Sequence, residues 1–382
     1  MASVFSRRLQ WDLPRNPLST LLEGKRRAGT PILDLTESNP TCAGLIYPEQ
    51  EMLTALADPR GSRYDPSPRG IESAREAVAK YYSERGREIA AANLLLTAST
   101  SEAYAYLFKL LADPGDEILT PRPSYPLFEF LAGLESVRVR QYPLRYDGAW
   151  HIDFEELERA ITGRTRAIAV VNPNNPTGSF LKLEESDRLQ DLADGRGIAI
   201  LLDEVFLDYG FGDPPKRGAE RALTFSMSGL SKIAALPQMK LGWIVAGGPE
   251  HEAAMERLEL IADTFLSVAT PVQLALPALL ASSEGVRGQI RERTRLNLGA
   301  LRSMTAGSAL QVLNVEGGWY AVLQVPRTRT EEEWTLSLLR ESDVLIQPGF
   351  FFDFESEAFL VVSLLTPLEV FVEGVRRILR MI

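Results

Sequence analysis

Five short stretches of this 382-residue chain carry side chains whose types and spacing could do chemistry. The most informative runs from Phe225 to Trp243, FSMSGLSKIAALPQMKLGW, with Lys232 at its centre and Lys240 eight residues on. Lys232 follows a β-type run and a turn of small residues, Ser228, Gly229 and Ser231, so its amine stands where a strand ends. A lysine so placed can approach a carbonyl and, once desolvated, lose its proton and attack as a Schiff-base-forming amine. On this stretch alone the commoner alternative is a solvated surface lysine.

The other four stretches also follow β-type runs. Ala98-Ser99-Thr100-Ser101 opens a helix and offers N–H groups and hydroxyls to a phosphate, or is a plain Ser/Thr cap. In Pro121-Arg122-Pro123-Ser124-Tyr125-Pro126, prolines stiffen a loop whose Tyr125 could stack on a planar ligand or merely plug the core. Asn172-Pro173-Asn174-Asn175-Pro176-Thr177-Gly178 is dense turn chemistry that presents the Asn175 amide. Asp203 follows the apolar run Ile200-Leu201-Leu202, so its carboxylate needs a cationic or hydrogen-bonding partner, a salt-bridging arginine being the plain alternative.

These groups need a scaffold that brings strand ends together. From Leu94 the chain alternates β-type runs (Leu94–Thr97, Glu117–Thr120, Val137–Tyr142, Ala167–Val171, Ala199–Leu202, Leu223–Met227, Leu241–Ala246) with amphipathic helical patterns such as Glu102–Leu111 and Glu184–Leu192. Such alternation predicts an α/β fold, a mostly parallel sheet flanked by helices, whose strand ends share one crevice. After Pro271 come a long Arg-rich helical pattern, four strand signals and a closing helix, which predict a smaller α+β domain. The expected division is an N-terminal arm, 1–45, packing with the small domain, a large domain, 46–270, and a small domain, 271–382.

Composition narrows the function. A net charge of -10 without a long basic run argues against nucleic acid or an acidic membrane surface as partner. Cys42 is the only cysteine and His151 and His251 are the only histidines, which leaves little for a metal site or a Ser-His-Asp triad. The most apolar window, Phe265–Ala281, contains Pro271, Gln273 and Pro277 and falls short of a membrane span. No signal peptide is expected at the basic but not apolar N-terminus, so a cytoplasmic enzyme acting on small molecules is expected.

NPNNPTG, LLDEVFLDY and SGLSK, in this order, with DLTESNPT before them and PGFFF and SLLTP after, resemble the class I/II aminotransferases of the fold-type I pyridoxal-phosphate enzymes over nearly the whole chain. The resemblance implies an aminotransferase that uses pyridoxal 5'-phosphate to move an amino group between an amino donor and a 2-oxo acid. Lyase or decarboxylase chemistry is the alternative on the same cofactor, and a non-catalytic cofactor-binding module is a further one. It implies that Lys232 holds the cofactor as a Schiff base and shuttles a proton, and that Asp203 faces the pyridine nitrogen. That ion pair is worth roughly 4 kcal/mol at about 4 Å and an effective dielectric of about 20. Asn175 would meet the phenolic oxygen and Tyr125 would stack on the ring. Thr100, Ser101, Ser228 and Lys240 would bind the phosphate, and Tyr64 would reach the phosphate of a neighbouring subunit, giving a homodimer with shared sites.

Three positions depart from the family pattern. Phe206 stands where many members have a tyrosine, and Lys240 where most have arginine, which keeps the charge but loses the bidentate fork. Val361 stands where an arginine usually clamps the substrate carboxylate. Either Arg15 or Arg122 supplies that cation from elsewhere, or the substrate carries no carboxylate there.

Overall fold

A computed structural model describes residues 4–9, 11, 16–213, 215 and 218–382. Its large sheet has eight strands in the order Leu94–Thr97, Gly242–Gly247, Thr224–Gly229, Ala199–Asp203, Thr165–Val171, Glu117–Arg122, Arg138–Tyr146 and Trp150–Ile152. The five strands from Thr224–Gly229 to Arg138–Tyr146 are parallel neighbours; Gly242–Gly247 and the edge strand Trp150–Ile152 run antiparallel to theirs.

Helices cover both faces, which explains the uninterrupted apolar run at Ala199–Leu202. Ala199 and Leu201 join one core with Tyr104, Leu107, Phe225 and Met227, while Ile200 and Leu202 join another with Leu157, Leu189 and Ile168 on the opposite face. The two-residue pleat fixes which face each strand-end side chain takes. Asp203 pairs in register with Met227 and Val171, so these three share the face covered by the helix Thr100–Leu111.

A second, antiparallel sheet of four strands follows the order Gln311–Val312, Tyr320–Gln324, Phe359–Ser363, Gln347–Pro348. Its core joins Leu360 and Val362 to Leu298 and Leu301 of the 22-residue helix Glu284–Thr305, Trp334 and Leu338 of Glu331–Ser342, and Phe371 and Val375 of Leu368–Leu379. The N-terminal segment belongs here by its contacts. Leu18 of the helix Pro17–Arg27 packs on Leu339 and Leu345, and Leu33–Asp34 pairs in parallel with Val344–Leu345. The helix Thr270–Ser282 does not belong here: Ala275, Leu276 and Leu279 pack with Val78, Leu94 and Trp243 of the large body. By packing, the changeover falls near Ser283, one helix later than the sequence reading placed it. The apolar pattern of that helix is equally compatible with either body, which is why sequence alone misplaces it.

The two bodies meet where the NPNNPTG turn ends. The Gly178 carbonyl accepts the N–H groups of Glu316 and Gly317 at 3.1 and 2.9 Å. Gly178 has φ +70°, and a Cβ there would stand 2.5 Å from the Gly317 carbonyl oxygen and 2.6 Å from Val315 Cγ1. Only glycine fits. Gly178→Ala is expected to lower unfolding free energy by about 3 kcal/mol through left-handed strain and backbone overlap, measured by urea titration; a loss below about 0.5 kcal/mol would contradict this close approach.

Candidate active site

A cavity of about 300 Å³ opens at the strand ends of the large sheet, with Tyr320 of the small sheet in its wall. Lys232, Asp203, Asn175, Tyr125, Thr100, Ser101 and Lys240 all line it. Each stands where its local sequence puts it. Asp203 ends one parallel strand and Asn175 follows another, Tyr125 follows Glu117–Arg122, and Lys232 sits on the single helical turn Leu230–Ile233 after Thr224–Gly229. The Lys232 carbonyl accepts the Tyr209 hydroxyl at 2.5 Å, which ties that turn to the buried Tyr209.

Thr100 and Ser101 begin a twelve-residue helix capped by Ser99, whose hydroxyl accepts the Glu102 N–H at 3.2 Å while Glu102 accepts the Ala98 N–H at 2.6 Å. The cap leaves other first-turn N–H groups without a helical partner beside the cavity that Thr100 and Ser101 line. Gly242 lets the neighbouring strand approach this turn: a Cβ there would lie 3.1–3.2 Å from the backbone of Ser99 and Thr100. Lys240, exposed, takes a left-handed conformation just before that strand.

The Asp203 carboxylate accepts the Tyr104 hydroxyl at 3.1 Å and the Val205 N–H at 3.2 Å. Burial pushes its pKa up to about 6; the Val205 and Tyr104 hydrogen bonds pull the other way, as does Lys232, while Glu204 next door adds to the rise. Burial pushes the Lys232 amine down to about 8, partly offset by Asp203. The amine lies 5.0 Å from the ring centre of Trp319 and 5.7 Å from that of Phe206. Burial has therefore brought a lysine closer to deprotonation at neutral pH than an exposed one.

Two expected residues lie elsewhere. Ser228 sits within Thr224–Gly229 on the face opposite Asp203, buried, with its hydroxyl 3.4 Å from the Glu204 carbonyl. The pleat puts Gly229 on the cavity side instead, and Ser231 lines the cavity. Tyr64 is 79% exposed in a separate cleft with Ser267, Thr270 and Gln273. Residues that the sequence reading missed also line the cavity: Ser38, Tyr104 and Tyr320. Tyr104 had a signal, being one helical turn beyond Thr100 on the same face. Ser38 and Tyr320 come from opposite ends of the chain, and no local pattern links them. Burial pushes the Tyr320 hydroxyl up to about 12, against its hydrogen bond with Ser38.

Val361 does not line the cavity. It lies fully buried on Phe359–Ser363, in register with Val322 and Gln347, in a cluster with Phe206, Trp319, Tyr320 and Phe352. Val361→Arg would bury a guanidinium among aromatic rings without a counter-charge. It is expected to cost about 4 kcal/mol or more and to appear as lost soluble protein or a sharply lower Tm; a stable variant with improved amino-acid turnover would show that the slot is open. Arg122 is outside the lining and pairs with Glu355, and Arg15 lies outside the described residues.

Among the described residues no helix is long and apolar enough to cross a membrane, and no cluster of His, Cys, Asp and Glu could hold a metal ion. The family model described as "Aminotransferase class I and II" matches residues 30–375. The glutamate-pyruvate aminotransferase AlaA of Haemophilus influenzae is 27% identical, the match covering 88% of this chain and 87% of that protein. The tyrosine aminotransferase of Mus musculus is also 27% identical, over 95% of this chain and 84% of its own. Among solved structures, the alanine aminotransferase of Pyrococcus furiosus superposes with a TM-score of 0.89 over 99% of both chains at 23% identity, which speaks for the fold. The family model spans both sheets and every cavity-lining residue, and the chain is an enzyme that belongs to the aminotransferases of class I and II.

Proposed function

We propose that this chain uses pyridoxal 5'-phosphate, held in the 300 Å³ cavity, to move an amino group between an amino donor and a 2-oxo acid. The observation that carries the reading is the presence of a buried carboxylate, Asp203, and a desolvated amine, Lys232, in one cavity whose rim is a capped helix N-terminus. The residues fit the group. The Asn175 side-chain oxygen is buried in the cavity wall without a partner among the described residues, and Gly229 and Gly242 let the lysine turn and the helix N-terminus come close enough to share one cavity. When bound, the cofactor supplies an electron sink for charge at the substrate α-carbon.

The rest is the work of this chain. Lys232 would anchor the cofactor and carry the α-proton, its amine being held well below the ordinary lysine pKa by burial. Asp203 is mostly ionised at neutral pH and would hold a proton on the cofactor's ring nitrogen. Thr100, Ser101, Ser231 and Lys240 would hold the phosphate, Asn175 would hold the phenolic oxygen, and Tyr125 would cover the ring. The exposed Tyr64 supports a homodimer in which it completes a neighbour's phosphate site. The single cysteine agrees with a cytoplasmic location.

The test is to load purified protein with pyridoxal 5'-phosphate, add alanine, glutamate or tyrosine with a 2-oxo acid, and follow the new amino acid by chromatography. Stoichiometric exchange is the expected result. Release of ammonia or carbon dioxide without exchange would overturn it.

A further inference from the structure

Among the described residues, the cavity lining holds three charged side chains, Asp203, Lys232 and Lys240. On the reading above, all three are committed to the cofactor. A 2-oxo acid also brings a carboxylate, and burying one without a cation costs several kcal/mol. Some other cation must serve it, and Val361 is neither charged nor in the wall.

Arg122 has the placement and the spare capacity. It ends the strand Glu117–Arg122 on the face that Asp203 takes: Leu119 pairs with Ile168, so the register continued to the strand end sets Arg122 beside Val171, and Val171 pairs with Asp203. Val171 lines the cavity. Two strand spacings separate the Arg122 and Asp203 backbones, about 10 Å, most of which an extended arginine side chain spans. Tyr125, three residues on, lines the cavity. Among the described residues the Arg122 Nε is buried without a hydrogen-bond partner, and the guanidinium contacts one carboxylate, that of Glu355. Glu355 in turn has a second partner, since Arg145 Nη1 lies 2.7 Å from it, and Arg145 is also 3.1 Å from Asp153. Two guanidinium groups thus face Glu355 with Asp153 alongside, and Glu355 can release Arg122 while keeping Arg145.

We propose that Arg122 reads the substrate carboxylate and that Glu355 is its resident competitor, occupying the guanidinium until a carboxylated substrate displaces it. The inference rests on the aminotransferase reading for the identity of the substrate. Leu127, Phe128, Leu131 and Phe206 in the same wall favour substrates with an apolar side chain.

The test measures binding to the cofactor-loaded enzyme by calorimetry, with 3-phenylpropionate as the carboxylate probe and 3-phenylpropanol as its neutral counterpart. Wild type is expected to prefer the acid, Arg122→Met to lose that preference by about 100-fold, and Arg122→Lys to keep part of it. Glu355→Gln is expected to tighten the acid several-fold, because the competitor has lost its charge. A brace between the two bodies predicts the opposite sign, with both single variants loosening the acid together. That outcome, or an acid preference that survives in Arg122→Met, overturns the proposal. Circular dichroism and cofactor content confirm folding, and Glu355→Gln supplies the sign even if Arg122→Met is unstable. Because the probes undergo no reaction, a wild type that binds the acid but transfers no amino group would count against the function alone.

Discussion

Lys232→Ala is expected to bind pyridoxal 5'-phosphate without a covalent link and to lose amino transfer by at least about 1000-fold, since anchor and proton carrier vanish together. The absorbance of bound cofactor and the rate of exchange, measured on one sample, check both parts. Turnover within tenfold of wild type would remove Lys232 from its role. The companion Lys232→Met tests the electrostatics. The folded amine has its pKa lowered from 10.5 to about 8, so the fold prefers it neutral. The cost is fully present below pH 8 and fades as pH rises from 8 to 10.5, amounting to about 3 kcal/mol at 1.36 kcal/mol per unit. Lys232→Met in the cofactor-free protein should recover part of this at pH 7, less whatever Asp203 loses with its cationic neighbour.

Asp203→Ala is expected to lower the exchange rate by about three orders of magnitude, the equivalent of an ion pair of roughly 4 kcal/mol, and to weaken cofactor retention. A merely structural carboxylate would change the melting temperature and leave turnover per folded molecule intact. The pH dependence separates the two. The Asp203 pKa is raised from 3.8 to about 6, so the folded state favours the protonated form. Below pH 4 the carboxyl is neutral folded or unfolded and costs nothing; as pH rises from 4 to 6 the unfolded chain ionises first, and folding loses up to about 3 kcal/mol. Without cofactor, Asp203→Asn should therefore gain stability relative to wild type across that window. A pH-independent difference would mean that Asp203 titrates normally.

Much of this site is legible in the sequence because parallel strands end abruptly. Asp203 after an apolar run and Lys232 after a small-residue turn need only the rule that such ends share an edge. What the reading lost depends on pleat and on distant pairing. Ser228 and Gly229 differ by one residue and therefore by one face. Tyr320 and Ser38 enter from a second sheet and an N-terminal segment whose contacts no local period encodes. The helix Thr270–Ser282 shows the same limit at larger scale, since its apolar residues specify burial without specifying beneath what. Val361 shows a limit of resemblance, because a matching motif gives a position but not the packing around it.

The backbone contacts between the two bodies also make a native clock. The N–H groups of Glu316 and Gly317 are bonded to Gly178 and that of Ser124 to the Phe352 carbonyl, so these three amides can exchange with deuterated solvent only when the bodies part. Their exchange rates report how often the cavity opens. If the seams separate together, Ser124, two residues beyond Arg122, will exchange in step with Gly317 of the small body, and a ligand in the cavity will slow both by one common factor.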